Sequence, residues 1–553
     1  MPVRTACPAF ALVVALAMAA SPSFAVTLIH NAHIHTVNKK QPQASAMAFD
    51  ADGKILAVGD ESLIKRFPDA ERIDFAGKTI VPGLIDAHVH LMGLGIARAR
   101  VDLVGSESKE EILRRLQSFE STLEEDEWLT GRGWDQNDWV VREFPNAADL
   151  DDLFPNRPVW LDRIDGHAAW ANTAAMKKST VDVTIAVDPQ GGRIMRDEQG
   201  RPTGIFLDAA KVFIDKGVPA LSEETLDRAL HVAVREANSA GLTGVHEAGT
   251  SLYAVHRYRR AIDAGELSLR IYAMADGMQD TFAALCRDGP FEYKNRLSMR
   301  SVKLYMDGAL GSRGAALLAD YSDDPGNRGL LFTQPDVFAE YVADVMRCGL
   351  QVNTHAIGDN GIRVVLDAYE KGIAATGGGP GRHRIEHAQI IALEDIPRFG
   401  ELNVIASMQP THATSDMYWA EDRLGPERIQ GAYAWRKLLD TGARLAFGSD
   451  FPVEGVAPLL GFHASVARQD LKNWPEGGWY PGERLTREEA LKAFTLDAAY
   501  AAFQERQIGS LEVGKRADFV VLSADIMSIP AEEIPATRVL STWLDGKRVY
   551  AAD

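Results

Sequence analysis

Past residue 25 the chain runs in short apolar stretches broken by turn residues. Residues 28–29, 34–37, 46–49 and 55–58 are strand-like, with Asp52-Gly53, Gly59-Asp60 and Gly77-Lys78 supplying the breaks. The C-terminus has the same character: residues 518–522 and 539–544 predict strands, Asp545-Gly546 a turn, and Val549-Tyr550 a third strand. Neither segment can build a core alone, so residues 26–79 and 507–553 are expected to combine into one β-domain.

Between them the pattern changes. Apolar, β-rich runs at residues 80–85, 244–245, 269–273, 302–305, 350–352, 384–385, 404–407 and 444–447 are each followed by helical periodicity. Eight such units predict parallel βα repeats closed into a (β/α)8 barrel over residues 80–506. The first two runs lie too far apart for one crossover helix, so residues 100–225 are expected to form an inserted subdomain.

Composition fits this picture. The 553 residues are 46% hydrophobic and 25% charged, within the globular range. The net charge of -18, without any basic run, argues against a nucleic-acid partner. Residues 1–25 read as a cleavable export signal: Arg4, an apolar stretch from Pro8 to Ala20, then Ser23-Phe24-Ala25. The expected location is periplasmic or secreted, with no stable membrane anchor. Of three cysteines, Cys286 and Cys348 would remain after cleavage, paired or free.

Barrel enzymes place their chemistry at the C-terminal ends of the strands. There stand His88 and His90 after the first run, Lys303 on the fourth, His355 after the fifth, His387 after the sixth and Asp450 after the eighth. Residues i and i+2 of an extended segment point the same way, so His88 and His90 can meet one ion. Four imidazoles suit a divalent ion such as Zn2+. An ammonium would repel that ion, but a lysine converted by CO2 to a carbamate would bind it, and Asp450 could both ligate and accept a proton.

Gly83-Leu84-Ile85-Asp86-Ala87-His88-Val89-His90 with Gly448-Ser449-Asp450 resembles the amidohydrolase superfamily. The YtcJ-like metal-dependent hydrolases, the branch that includes N-substituted formamide deformylase, are similar at further points. These are Gly131-Arg132-Gly133-Trp134-Asp135, Asp165-Gly166-His167-Ala168, the run from Lys303 to Ala315, Thr354-His355-Ala356-Ile357-Gly358-Asp359 and Arg384-Ile385-Glu386-His387-Ala388-Gln389. The resemblance implies a distorted (β/α)8 TIM barrel with a composite β-sandwich from both termini. It also implies a metal site of His88, His90, Lys303, His355, His387 and Asp450, with Lys303 carboxylated and Asp450 the general acid/base.

Other residues invite a blander reading. His33 and His35 repeat the His-x-His spacing, but no further ligand converges on them and strand alternation alone explains the pair. Trp134 and His167 are expected either to close over the barrel mouth or simply to pack. Tyr305, Asp307, Arg313 and His412 are candidate substrate contacts; His246 and Glu247 face the same mouth.

The expected activity is hydrolysis of a C–N bond in an amide or N-formyl small molecule by metal-activated water. Lactone or ester hydrolysis is the alternative on the same barrel. A deaminase would want a glutamate soon after His355, which this chain lacks. A non-catalytic exported binding protein is the rival of a different class, and would be marked by a missing ligand. The sequence leaves open the substrate, one ion or two, and whether the chain forms a homo-oligomer.

Overall fold

In a computed structural model, residues 26–552 are described apart from 126, 137, 138, 164–167, 190, 191, 278, 279 and 312. The central element is a parallel sheet of eight strands: β1 (Leu84–Val89), β2 (Leu242–Thr250), β3 (Arg270–Asp276), β4 (Leu297–Tyr305), β5 (Gln351–Ala356), β6 (Arg384–His387), β7 (Ile405–Met408) and β8 (Leu445–Phe447). Neighbours pair in chain order from β1 to β8. Past the end of β8 the sheet is tied back to β1, where Asp450 N–H donates to His88 C=O (2.8 Å) and His90 N–H donates to Phe451 C=O (2.9 Å). Asp86 adds its carboxylate, which accepts from Ser449 N–H (3.0 Å) and Oγ–H (2.6 Å). A side chain at Gly448 would drive its Cβ to 2.4 Å from Asp86 Oδ1, so only glycine lets the two strands approach here.

Each of the eight runs predicted as barrel strands falls on one of these strands, with one change of boundary. Residues 80–82 complete the long strand Glu71–Pro82 of the terminal domain, and the barrel begins at Leu84. Gly83 makes the switch; its N–H donates to Asp518 C=O (2.8 Å). Glu71–Pro82 also joins the two termini. Its first part runs parallel to Val26–His35, and its last residues pair antiparallel with Phe519–Leu522. The terminal segments thus share one continuous eight-stranded sheet, with a core that includes Ile29, Met47, Ile80, Phe519 and Trp543.

The barrel wall follows from amphipathic crossovers. Helix Glu223–Ser239 is capped by Ser222, whose side chain accepts from Thr225 N–H, and it buries Leu230, Ala233, Val234 and Ala237 in the barrel's main core. After the helix Leu91–Arg98 the chain leaves the barrel for a six-stranded sheet spanning Val101 to Asp208, with separate apolar clusters around Trp134 and Phe206. Cys286 and Cys348 are disulfide-bonded, Cα to Cα 5.2 Å, linking the crossover helix after β3 (Asp280–Asp288) to the residue that ends the helix Pro335–Arg347 after β4. Among the described residues no helix is long and apolar enough to cross a membrane.

Candidate metal centre

Inward-facing positions of a (β/α)8 barrel are normally filled by branched aliphatic side chains. Here the upper interior is polar. His88, Lys303, Arg384, Glu386 and His387 are all buried, and adjacent strands stand in register: Tyr305 opposite His355, Ala356 opposite His387. His387 and Asp450 hold left-handed backbone (φ 74° and 63°), which turns their side chains inward where the strands end.

The rings converge closely. The centroid of His387 lies 4.8 Å from that of His88 and 4.5 Å from that of His355. Asp450 Oδ1 sits 3.2 Å from His90 Nε2 and 3.6 Å from His88 Nε2. Lys303 Nζ is 3.2 Å from His88 Nε2. All six residues expected to hold metal are therefore brought together at one end of the barrel.

Their partners fix which atoms face inward. His88 Nδ1–H donates to Glu386 Oε2 (2.6 Å) and His387 Nδ1–H donates to Gln409 Oε1 (2.8 Å), so both Nε2 lone pairs face the centre, that of His88 toward Lys303 Nζ. Burial, then the Lys303 charge, pushes His88 down to about 4 and His355 to about 3; burial takes His387 well below the usual histidine range. These rings are neutral at physiological pH. Burial lowers Lys303 to about 8. It opposes the ionisation of Asp450 too, but His90 and His88 outweigh it and hold the carboxyl below its usual range.

Three buried atoms aimed at this centre, His355 Nε2, His412 Nε2 and Asp450 Oδ1, have no hydrogen-bond partner among the described residues. The Nε2 atoms of His88, His355 and His387, on rings whose burial keeps them neutral, and the ionised Asp450 carboxylate converge here, and such a set of acceptors fits a cation. His88, His90 and Asp450 form one group able to hold an ion, and His387, His412 and Asp450 another.

The remaining candidates separate. Tyr305 is partly exposed beside the site, its ring 5.8 Å from that of His355. Asp307 is buried and spent on backbone: it accepts from Ala316, Ile357 and Gly358 N–H (2.8, 2.9 and 2.8 Å) and ties the loop after β4 to the end of β5. Arg313 pairs with Asp323 (2.9 Å). Trp134 lies wholly within the core of the inserted subdomain, its Nε1–H donating to Leu161 C=O (2.8 Å), so it packs and offers nothing to the mouth. His167 lies outside the described residues. Glu247 anchors the N-terminus of helix Leu91–Arg98 by accepting from Leu91 N–H (2.5 Å), and His246 Nδ1 meets Arg384 Nη1 (3.0 Å) below the site.

Sequence reasoning passed over four residues here: Glu386, Arg384, Gln389 and Gln409. All are buried. The available signal was polar residues in strands that should be fully apolar, above all Arg384-Ile385-Glu386-His387.

Comparison with known proteins follows the same lines. Residues 71–550 match the profile of the "Amidohydrolase family". The chain is 36% identical to Protein LONG AFTER FAR-RED 3 of Arabidopsis thaliana, over 95% of this chain and 91% of that one. It is 33% identical to YtcJ of Bacillus subtilis (strain 168), over 94% and 98%. It is 29% identical to N-substituted formamide deformylase of Arthrobacter pascens, over 95% and 98%. Among solved structures, a metal-dependent hydrolase from Pyrococcus horikoshii superposes with a TM-score of 0.75 at 28% identity, covering 92% of this chain and 99% of that one.

Proposed function

The chain belongs to the amidohydrolase family and is a metal-dependent hydrolase, and from that premise we propose that it is exported and cleaves the C–N bond of a small amide or N-formyl compound. The observation that carries this reading is the position of Asp450, an ionised carboxylate 3.2 Å from His90 and 3.8 Å from His412, where the histidines at the strand ends converge. The relative named for deformylation of N-substituted formamides supports the substrate class. The leader-like residues 1–25 and the Cys286–Cys348 disulfide support export, because such bonds persist in oxidising compartments.

His88, His90, His355, His387, Asp450 and a carbamate on Lys303 would hold the metal, with zinc the ion that suits so many imidazoles. When bound, the metal supplies Lewis-acid polarisation of the carbonyl and a lowered pKa for water. Asp450 accepts the proton of the attacking water on its carboxylate and returns it to the leaving nitrogen. Glu386 and Gln409 keep His88 and His387 in the tautomer that faces Nε2 inward.

The test is a panel of N-formyl and N-acyl compounds on zinc-loaded protein, with esters, lactones and amino-heterocycles alongside. Turnover of amides or formamides, lost on chelation and restored by zinc, is the expected result. Turnover confined to esters and lactones, or to amino-heterocycles, would overturn the proposed substrate class.

A further inference from the structure

His387 and His412 stand side by side, ring centroids 6.0 Å apart and planes within 18°, yet glutamines hold them in opposite tautomers. Gln409 turns its oxygen to His387 Nδ1 (2.8 Å), its own amide nitrogen being directed to Ser407 C=O (3.4 Å). His387 therefore carries its proton on Nδ1 and a lone pair on Nε2. Gln389 does the reverse: its amide nitrogen lies 3.1 Å from His412 Nδ1, which must accept. A ring whose Nδ1 accepts carries its proton on Nε2. That Nε2–H is buried, has no hydrogen-bond partner among the described residues, and lies 3.8 Å from Asp450 Oδ2.

The placement is set locally. Pro410 occupies the first position of helix Pro410–Asp416, directly after β7 and Gln409, so His412 sits in the first turn at the strand's C-terminal end. Gln389 follows His387 by two residues, and both Gln389 and His412 are nearly inaccessible to solvent. An unpaired donor in so dry a place points to a ligand acceptor.

We propose that His412 is a catalytic residue that donates Nε2–H to the substrate's carbonyl oxygen as that oxygen becomes an oxyanion, and that Gln389 is the positioning residue that keeps the proton there. This rests on the hydrolase reading above and adds a role to it. The water oxygen bonds to the carbonyl carbon as the C=O π pair moves onto oxygen, and the water proton goes to Asp450. The pair returns as the C–N bond breaks, and Asp450 protonates the nitrogen. His412 keeps its own proton throughout and stabilises only the charged oxygen. A protonated Nε2 has no lone pair for an ion, so this assignment removes His412 from the ligand set although it stands within ligand distance of His387 and Asp450.

The experiment compares wild type, His412→Phe and Gln389→Glu, each zinc-loaded and checked for native circular dichroism. The glutamate presents oxygen to Nδ1, which draws the proton there and strips it from Nε2. Losing one such donor lowers kcat by about 10²–10³-fold; both variants should show this with KM little changed and zinc per protomer unaltered. Methylphosphonate, an oxyanion probe needing no turnover, should bind His412→Phe at least about tenfold more weakly than wild type by calorimetry. Loss of zinc in His412→Phe would make His412 a ligand and overturn the proposal, as would full activity in Gln389→Glu. If the wild type turns over nothing in the panel, the substrate assignment fails on its own. Methylphosphonate binding then judges His412, and unchanged affinity in His412→Phe would overturn its role.

Discussion

His88 Nδ1 and Glu386 Oε2 are 2.6 Å apart with both side chains fully buried, so the first of the candidate ligand histidines is oriented by a carboxylate 298 residues away in sequence. Glu386 stays ionised there because Arg384, itself wholly buried, lies 2.7 Å from Oε1; burial alone would raise its pKa, and Arg384 with His88 reverses the sign. Partners of this kind usually contribute 10–100-fold in metal affinity. Glu386→Gln should weaken zinc binding by about that factor in chelator competition. At saturating zinc, kcat should recover most of its wild-type value, since Glu386 touches no reacting atom. Unchanged affinity would remove the orienting role.

Asp450 should behave in the opposite way. Asn keeps the size and one ligating oxygen but cannot take a proton. General acid/base groups contribute about 10²–10⁴-fold, so Asp450→Asn should lose activity on that scale while retaining zinc, measured as metal per protomer beside kcat. An active, zinc-loaded Asn variant would move the proton transfer to another group.

Lys303 is buried, with its nitrogen 3.2 Å from His88 Nε2 and 4.9 Å from the Tyr305 ring centroid. Burial lowers it to about 8, which increases the share of free amine that can capture CO2. Native mass spectrometry of zinc-loaded protein should find the added mass of one CO2, absent from Lys303→Met. That variant should also bind less zinc. An unmodified lysine in a fully loaded protein would make its role an ion-pair one.

The sequence showed the barrel clearly because its signal is repetitive: eight apolar runs, five of them with a candidate ligand on the strand or just past its end. All six ligand candidates converge for the same reason, since a strand end fixes where a side chain points. What it hid depends on the opposite wall. Nothing in Gln389 or Gln409 says that one offers nitrogen and the other oxygen to neighbouring histidines. Trp134 stood in a striking Gly-rich phrase, yet its ring packs against Trp139 and Trp170 inside the insertion. The run at residues 80–85 looked like one strand because Ile80, Val81, Leu84 and Ile85 are all buried; only pairing with Phe519–Leu522 reveals the break at Gly83.

The terminal sheet is fastened to the base of the barrel by a buried charge cluster, and that cluster makes acid stability predictable. Arg270, at the start of β3, meets Asp518 through Nε (2.8 Å) and Nη2 (3.0 Å) and Asp545 through Nη2 (2.6 Å), while Arg296 meets Asp545 at 2.6 Å. Asp545 opens the Asp545-Gly546 turn with φ 50°, a conformation asparagine also tolerates, so Asp545→Asn removes charge without disturbing the hairpin. Burial opposes ionisation of Asp545, but Arg270 and Arg296 hold its carboxyl below the usual range. A carboxyl depressed in the folded state stabilises fully above its unfolded pKa of about 3.9, and loses that contribution as pH falls through its folded value. Removing one partner from such a cluster typically costs about 3–5 kcal/mol, and some exposure of Asp545 should keep the effect near the lower end. Asp545→Asn should therefore unfold at lower denaturant than wild type at pH 7. The gap should begin to narrow below about pH 4, where the carboxyl of the unfolded chain takes up its proton while the folded one still resists, and close as pH falls through the folded value. A gap independent of pH would place the stabilisation in packing rather than in charge.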